Sequence, residues 1–152
     1  MDLIKGGSNF DCILAAAAMV MDIDLGELKT RIGHDGSETI FPNLSEPYCR
    51  RGFHMQEIID QAFLNGWSVM SIEVKFGLDP FNGDDPGFIV PVEQKRISVY
   101  LKKFPGIIAG KRDDGNHAVA WNGRMIYNSA GHIYPLKEFK YYVEQFWAFC
   151  KY

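Results

Sequence analysis

The hydrophobic and polar positions of the chain follow a helical pattern in its first half and alternate in its second half. Residues 13–21 form an uninterrupted apolar run of good helix formers, which predicts a buried helix. Asp11 precedes that run, so we expect its carboxylate to cap the helix by accepting from the first free backbone N–H groups. Three further helices are predicted over residues 25–32, 55–64 and about 92–104.

Strands are predicted where apolar and polar residues alternate between turn-forming residues. They cover residues 67–76, 106–109, 116–121, 124–128 and about 143–152, and a short helix is predicted near 136–141. Helices followed by an antiparallel sheet define the α+β class. A chain of 152 residues with a hydrophobic fraction of 47% can fill one core, so we expect a single domain over residues 1–152.

Composition and charge narrow the range of partners. The chain has 16 Lys and Arg against 19 Asp and Glu, a formal net charge of −3, and no basic block, so a nucleic-acid partner is not expected. No apolar stretch approaches the ~18 residues of a membrane span, and acidic residues rather than a cleavage site follow residue 21. Three cysteines, an odd number, favour a reducing compartment, and we expect a cytoplasmic protein without membrane contact.

A predicted hairpin brings two chemically useful side chains together. Asn122-Gly123 between two apolar runs is typical of a two-residue type I′ turn, which places Trp121 opposite Arg124. His117 then lies directly opposite Asn128, with β-carbons about 4.5–5.5 Å apart on one face. At that separation the amide oxygen can bond an imidazole N–H. The hairpin therefore predicts a histidine oriented by a side-chain amide.

A histidine held in this way needs a nucleophile before it can be catalytic, and Cys12 is the candidate. It stands at the start of the predicted helix over 13–21, where unpaired N–H groups and the helix dipole favour thiolate over thiol. Small alanines share its helical face, which lets the helix approach a sheet closely. A cysteine at a helix start beside a His–Asn hairpin is the layout of a papain-like cysteine hydrolase.

Three segments of the chain resemble motifs of C39-type, papain-like cysteine peptidases. They are Asp-Cys-Ile-Leu-Ala-Ala-Ala-Ala-Met-Val at 11–20, Asn-His-Ala-Val-Ala-Trp at 116–121 and Tyr-Asn-Ser-Ala-Gly at 127–131. They are similar to the catalytic helix, the histidine strand and the motif that carries the third residue. The resemblance covers both ends of the chain and leaves residues 34–110 unmatched.

The resemblance implies a papain-like fold, with an N-terminal catalytic helix packed on an antiparallel sheet, that cleaves a peptide or isopeptide bond through a thioester. By that likeness Cys12 is the nucleophile, His117 the general base and then acid, and Asn128 the residue that orients His117. It implies a protein or peptide substrate and no cofactor. Acyl transfer to an amine other than water, as in transglutaminase-like relatives, uses the same residues and stays open.

One position departs from the family pattern. The family carries a glutamine six residues before the cysteine, whose amide donates to the oxyanion, and that position here is Gly6. Loss of one such donor typically costs ~10²–10³ in turnover, so we expect another group to supply it. Asn9 is the candidate for the oxyanion hole, Ser8 is an alternative, and the backbone N–H of Cys12 is also available.

A zinc-binding protein and a protein-binding module are the two alternatives to a hydrolase. A zinc site would need paired ligands, but the spacing of Cys49 and His54 is not that of a zinc pair, so no metal is expected. A papain-like domain that binds or inhibits another protein is the alternative that Gly6 favours and an intact Cys–His–Asn set opposes. The aromatic residues of loops 34–53 and 77–91 either line a substrate groove or cover the core.

Overall fold

The computed structural model of the protein describes residues 1–6, 11–37, 52–73, 91–112 and 115–152. Within these ranges the helices are α1 (Cys12–Met21), α2 (Leu25–Ile32), α3 (Met55–Leu64) and α4 (Pro91–Lys103). The strands are β1 (Trp67–Glu73), β2 (Gly106–Arg112), β3 (Gly115–Trp121), β4 (Met125–Asn128), β5 (His132–Pro135) and β6 (Tyr142–Lys151). They form one antiparallel sheet of six strands in the order β1-β6-β2-β3-β4-β5. The predicted α+β class is confirmed.

The two faces of the sheet are covered by different helices. α1, α2 and α3 pack on one face, where Ala118 and Ala120 of β3 are buried. α4 packs on the other face, against Val119 and Trp121 of the same strand. Successive residues of a strand point to opposite faces, so the apolar run of β3 serves both layers. The indole N–H of Trp121 also donates to the Leu101 carbonyl of α4 at 2.7 Å.

The first helix lies where its apolar run predicts, beginning one residue earlier at Cys12. Its alanines at 15–18 are fully buried, which allows close contact with β2 and β3. The prediction that Asp11 caps α1 is wrong: Asp11 occupies the N-cap position, but its side chain makes no capping hydrogen bond. The carboxylate instead contacts the Lys29 ammonium of α2. An ion pair with α2 thus replaces the local cap.

The turn between β3 and β4 lies one residue later than predicted. The Asn122 N–H donates to the Met125 carbonyl at 3.3 Å, so the two central residues of the turn are Gly123 and Arg124. Gly123 has φ of +97° and Arg124 is not left-handed, which fits a type II′ turn rather than type I′. The Asn122 Oδ1 accepts from both following N–H groups, of Arg124 and Met125, which favours this arrangement.

The one-residue displacement of the turn changes the pairing register of β3 and β4, but each side chain stays on the predicted face of the sheet. Trp121 pairs with Ile126 instead of the predicted Arg124, so each β3 residue lies opposite a residue two positions later than expected. A shift of two residues keeps every side chain on its face, because the side-chain period of a strand is two. His117 and Asn128 therefore still share a face, as diagonal rather than direct neighbours.

The end of the chain also differs in part from the prediction. The helix predicted near 136–141 is only a three-residue 3-10 turn, Leu136–Glu138. The sequence pattern did not predict β5, which returns beside β4 and pairs His132 with Asn128. Gly131, with φ of +103°, makes the turn between these two strands. No helix in the described ranges has the length and apolar character needed to span a bilayer.

Candidate active site

The His117–Asn128 contact predicted from the hairpin is present. The His117 Nε2 lies 3.0 Å from the Asn128 Oδ1. The same oxygen accepts from the backbone N–H of Ala130 at 3.0 Å, and the Asn128 Nδ2 donates to the Tyr134 hydroxyl at 3.2 Å. These two bonds establish Oδ1 as the acceptor, so Nε2 carries the proton. In the neutral ring Nδ1 then keeps its lone pair for another group.

Aromatic side chains cover the outer side of the imidazole. The Tyr141 ring centroid lies 5.2 Å from that of His117, and the Phe139 ring lies 5.3 Å from Tyr141. Gly110 pairs with His117 across β2 and β3, and a β-carbon at position 110 would come within 2.5 Å of the Tyr141 β-carbon. Glycine at this position therefore allows the aromatic rings to pack beside the histidine.

Cys12, the first residue of α1, and His117 line the same cavity. The volume of this cavity is about 570 Å³. Burial raises the pKa of the Cys12 thiol, and the negative charge of Asp11 adds to that rise. Hydrogen bonds from the backbone N–H groups of Ala118 and Ile13 act in the opposite direction without cancelling it. The expectation that the helix start favours thiolate is therefore wrong, because the cost of burying the charge exceeds the help from the N–H groups.

The floor of the cavity crosses four strands of the sheet. It extends from Cys12 and His117 across Ala109 of β2 to β6 and then to Ser71 of β1. The Gln145 amide donates to the Ser71 hydroxyl at 2.9 Å, which joins the last two strands through their side chains. The wall on the side of α3 is formed by Met55, Gln56 and Ile59.

A β-bulge lies at the rim of this cavity. Ala109 pairs with Gln145 but Gly110 pairs with Val143, so Glu144 is an additional residue in β6. Glu144 is exposed and lines the cavity. Bulges of this kind redirect side chains and are common beside active sites. A carboxylate therefore stands at the rim of an otherwise uncharged floor.

The segment before Cys12 is tied to two other parts of the site. The Asp11 side chain is 0% exposed, and its Oδ2 lies 2.8 Å from the Lys29 Nζ. The Gly6 N–H donates to the Ser129 carbonyl at 3.0 Å. A β-carbon at position 6 would lie 3.0 Å from the Asp11 Oδ1 and 3.3 Å from the Ser129 β-carbon. The position where the family resemblance expects glutamine is therefore closely packed by Asp11 and Ser129.

Several predicted residues lie outside the described ranges. They are the oxyanion-hole candidate Asn9, its alternative Ser8, Cys49, and most of the two aromatic loops. His54 is described and occupies the N-cap position of α3, where its backbone N–H donates to the Glu57 carboxylate at 2.7 Å. The His34 Nε2 contacts the other carboxylate oxygen of Glu57 at 2.7 Å. Across the described parts of the chain, no three His, Cys, Asp or Glu side chains gather as a metal site.

Four contributors to the site were not predicted from the sequence: Tyr134, Tyr141, Gly110 and Lys29. A sequence signal existed for Tyr134, because Ser-Ala-Gly after Asn128 is typical of a turn and would return residues 132–135 beside β4. Lys29 and Gly110 had no such signal, because Lys29 lies 18 residues from Asp11 and Gly110 meets Tyr141 of a later segment, contacts that no local pattern encodes.

Comparison with known proteins does not assign a family. No family model matches the chain, and a search of curated proteins finds no match. The His117–Asn128 hydrogen bond and the cavity that His117 shares with Cys12 are therefore the basis for a function.

Proposed function

We propose that the protein is a papain-like cysteine hydrolase, similar to C39-type peptidases, that cleaves a peptide or isopeptide bond through a thioester. Cys12 is the nucleophile, His117 the base and then the acid, and Asn128 the residue that orients His117. The observation that carries this proposal is the hydrogen bonding of Asn128, which leaves the Nδ1 lone pair of His117 available in a cavity that Cys12 also lines.

The raised pKa of the Cys12 thiol decides the form of the first step. The nucleophile rests as a neutral thiol, and His117 Nδ1 takes its proton as the sulfur attacks the substrate carbonyl carbon. The imidazolium that forms donates through Nε2–H to the Asn128 oxygen, a bond that strengthens when the ring is charged. His117 then protonates the leaving amine, and a water that it deprotonates hydrolyses the thioester.

The oxyanion needs donors other than a side chain at position 6. Gly6 is packed against Asp11 and Ser129, so this chain uses the position for close packing. The backbone N–H of Cys12 at the start of α1 is one donor with suitable polarity. Asn9 remains the predicted second donor.

The shape of the cavity favours an extended peptide. Its floor spans β3 to β1, three strand spacings or about 14 Å, which is the length of about four extended residues. A small residue, Ala109, lies next to β3 and leaves room for a substrate backbone. These features support a peptide substrate over a compact small molecule.

Hydrolysis of a mixed library of internally quenched peptides, followed by acid quenching and mass spectrometry, tests the proposal. We expect cleavage, and a transient acyl adduct on the peptide that contains Cys12. Cys12→Ser should abolish both signals, whereas the matched variant Cys150→Ser should keep both. Cleavage by Cys12→Ser at the wild-type rate would contradict the proposal.

A papain-like binding or inhibitory module is the second candidate. Two observations favour it, the raised pKa of the Cys12 thiol and the close packing at Gly6. It predicts no cleavage and no adduct, together with unchanged binding of a protein partner by Cys12→Ser.

A further inference from the structure

The contact between α2 and the residue before Cys12 is not explained by fold stability alone. Asp11 is completely buried, although a carboxylate is among the groups most costly to remove from water. Its Oδ2 lies 2.8 Å from the Lys29 ammonium, whose side chain is 26% exposed. Asp11 makes no side-chain capping bond to α1, so the carboxylate is not buried there as a hydrogen-bonded helix cap.

The position of Asp11 lets its charge influence the ionisation of the Cys12 thiol. It directly precedes Cys12, and its negative charge disfavours the thiolate. Lys29 brings a positive charge to the same carboxylate from a different helix. The Asp11 backbone also begins α1 by accepting from the Ala15 N–H at 2.7 Å. Asp11 therefore contributes to both the location and the charge environment of the sulfur.

We propose that Lys29 is a positioning residue for Cys12, which acts through Asp11 to hold the start of α1 and to offset the buried carboxylate beside the nucleophile. This inference rests on the proposed function, because it concerns the reactivity of the proposed nucleophile. The Gly6 contact belongs to the same arrangement. Gly6 lies against Asp11 Oδ1 while its N–H donates to Ser129, the residue after Asn128. Gly6 thus lies between the Asp11 carboxylate and the segment that follows Asn128.

Other charges around Cys12 do not replace Lys29. His117 of β3 is the proposed base, and Glu144 of β6 is negative and would add to the effect of Asp11. The remaining described residues of the cavity wall are uncharged.

The test is the pH dependence of Cys12 alkylation by iodoacetamide, followed by mass spectrometry of the Cys12 peptide. In Lys29→Met we expect the midpoint to rise by about one pH unit, with alkylation about tenfold slower below it. Lys29→Arg should restore the wild-type profile. Asp11→Asn, which leaves Lys29 charged, should lower the midpoint, and the double variant Asp11→Asn/Lys29→Met should lie near wild type.

Matched controls separate this effect from general charge or unfolding. Lys103→Met removes one exposed lysine from α4 on the other side of the sheet and should leave the profile unchanged. Alkylation of Cys150 in each sample reports any loss of fold. An unchanged midpoint in Lys29→Met, or in Asp11→Asn if the first variant does not fold, would overturn the inference. The proposed function fails by a different result, a Cys12→Ser variant that still cleaves peptides.

Discussion

The two halves of the candidate site are held in different ways. The His117 half consists of consecutive strands, in which Asn128, Ala130 and Tyr134 lie within 17 residues of the histidine and connect through hydrogen bonds. The Cys12 half is held by an ion pair between the buried Asp11 carboxylate and a partly exposed lysine on another helix. Hydrogen bonds between neutral groups are each worth only about 1 kcal/mol, whereas breaking a buried ion pair typically costs about 3–5 kcal/mol.

This difference suggests that the two halves respond differently to mutation. The histidine half is held by individually weak hydrogen bonds. Substitutions there should therefore lower the rate of peptide cleavage more than the free energy of unfolding. The cysteine half uses a strong contact at the start of α1, the most completely buried helix of the described chain, so its loss should reduce stability as well. The following variants examine that contrast.

The largest expected effect is a loss of peptide cleavage activity. His117→Ala should lower peptide cleavage by about 10³-fold, because it removes the group that takes the proton from a thiol of raised pKa. Steady-state cleavage of the quenched peptide library measures the loss. His132→Ala, an exposed histidine of β5, is the matched control and should keep activity. Equal activity of the two variants would remove His117 from the mechanism.

The next effect is on stability. Lys29→Met should lower the free energy of unfolding by about 2 kcal/mol, somewhat less than a fully buried pair would lose because Lys29 is partly exposed. Urea denaturation followed by far-UV circular dichroism gives this value. Lys103→Met should change it by less than about 0.5 kcal/mol. If both lysine variants unfold at the same urea concentration, the ion pair does not distinguish the cysteine half.

A moderate effect on activity is expected for the asparagine. Asn128→Ala should reduce cleavage about tenfold, because the bond to the charged imidazole is lost in the rate-limiting complex. Its free energy of unfolding should fall by about 1 kcal/mol, less than that of Lys29→Met. Parallel kinetics and urea melts check both values. A stability loss larger than that of Lys29→Met would reverse the contrast between the two halves.

The smallest effect concerns pH. The pKa of the Cys12 thiol is raised in the folded protein, so the folded state keeps the proton at a pH where the unfolded state has released it. The stability that this supplies is present below the ordinary thiol pKa of ~8.5 and is lost as the pH rises through the folded value. Melting temperatures from pH 7 to 10 should therefore fall more steeply for wild type than for Cys12→Ser.

Tyr134 also contributes to the fall of the melting temperature at high pH, and it does so equally in the wild type and in Cys12→Ser. Burial raises the pKa of its hydroxyl as well, so its contribution is lost in the same direction at high pH. Because the wild type and Cys12→Ser share Tyr134, the difference between their slopes reports Cys12. Parallel slopes would mean that the thiol titrates equally in folded and unfolded protein.

Local patterns predicted most of the secondary structure. α2 and α3 have the predicted bounds, because an Asp24 cap, the left-handed Gly33 and the bond from the His54 N–H to the Glu57 carboxylate are short-range signals. The helix predicted near 136–141 is confirmed only over Leu136–Glu138, as a 3-10 turn. Beyond it Phe139 and Tyr141 pack beside Gly110, and the Tyr141 ring packs on that of His117. Helical propensity was overridden there by packing against a distant strand.

The sequence alone determined the α+β class, the position of α1 and the common face of His117 and Asn128. Each of these features follows from the side-chain period of its element, two residues in a strand and 3.6 in a helix. His117 and Asn128 stay on a common face because the register changes by two residues, a full period of the strand. Only the tertiary structure decided the direction in which the pKa of the Cys12 thiol is shifted and the partner of Asp11. Burial depends on what α1 packs against, and Lys29 lies 18 residues from Asp11 along the chain. Neither desolvation nor a long-range ion pair leaves a periodic signal in the sequence, and both act on the same sulfur.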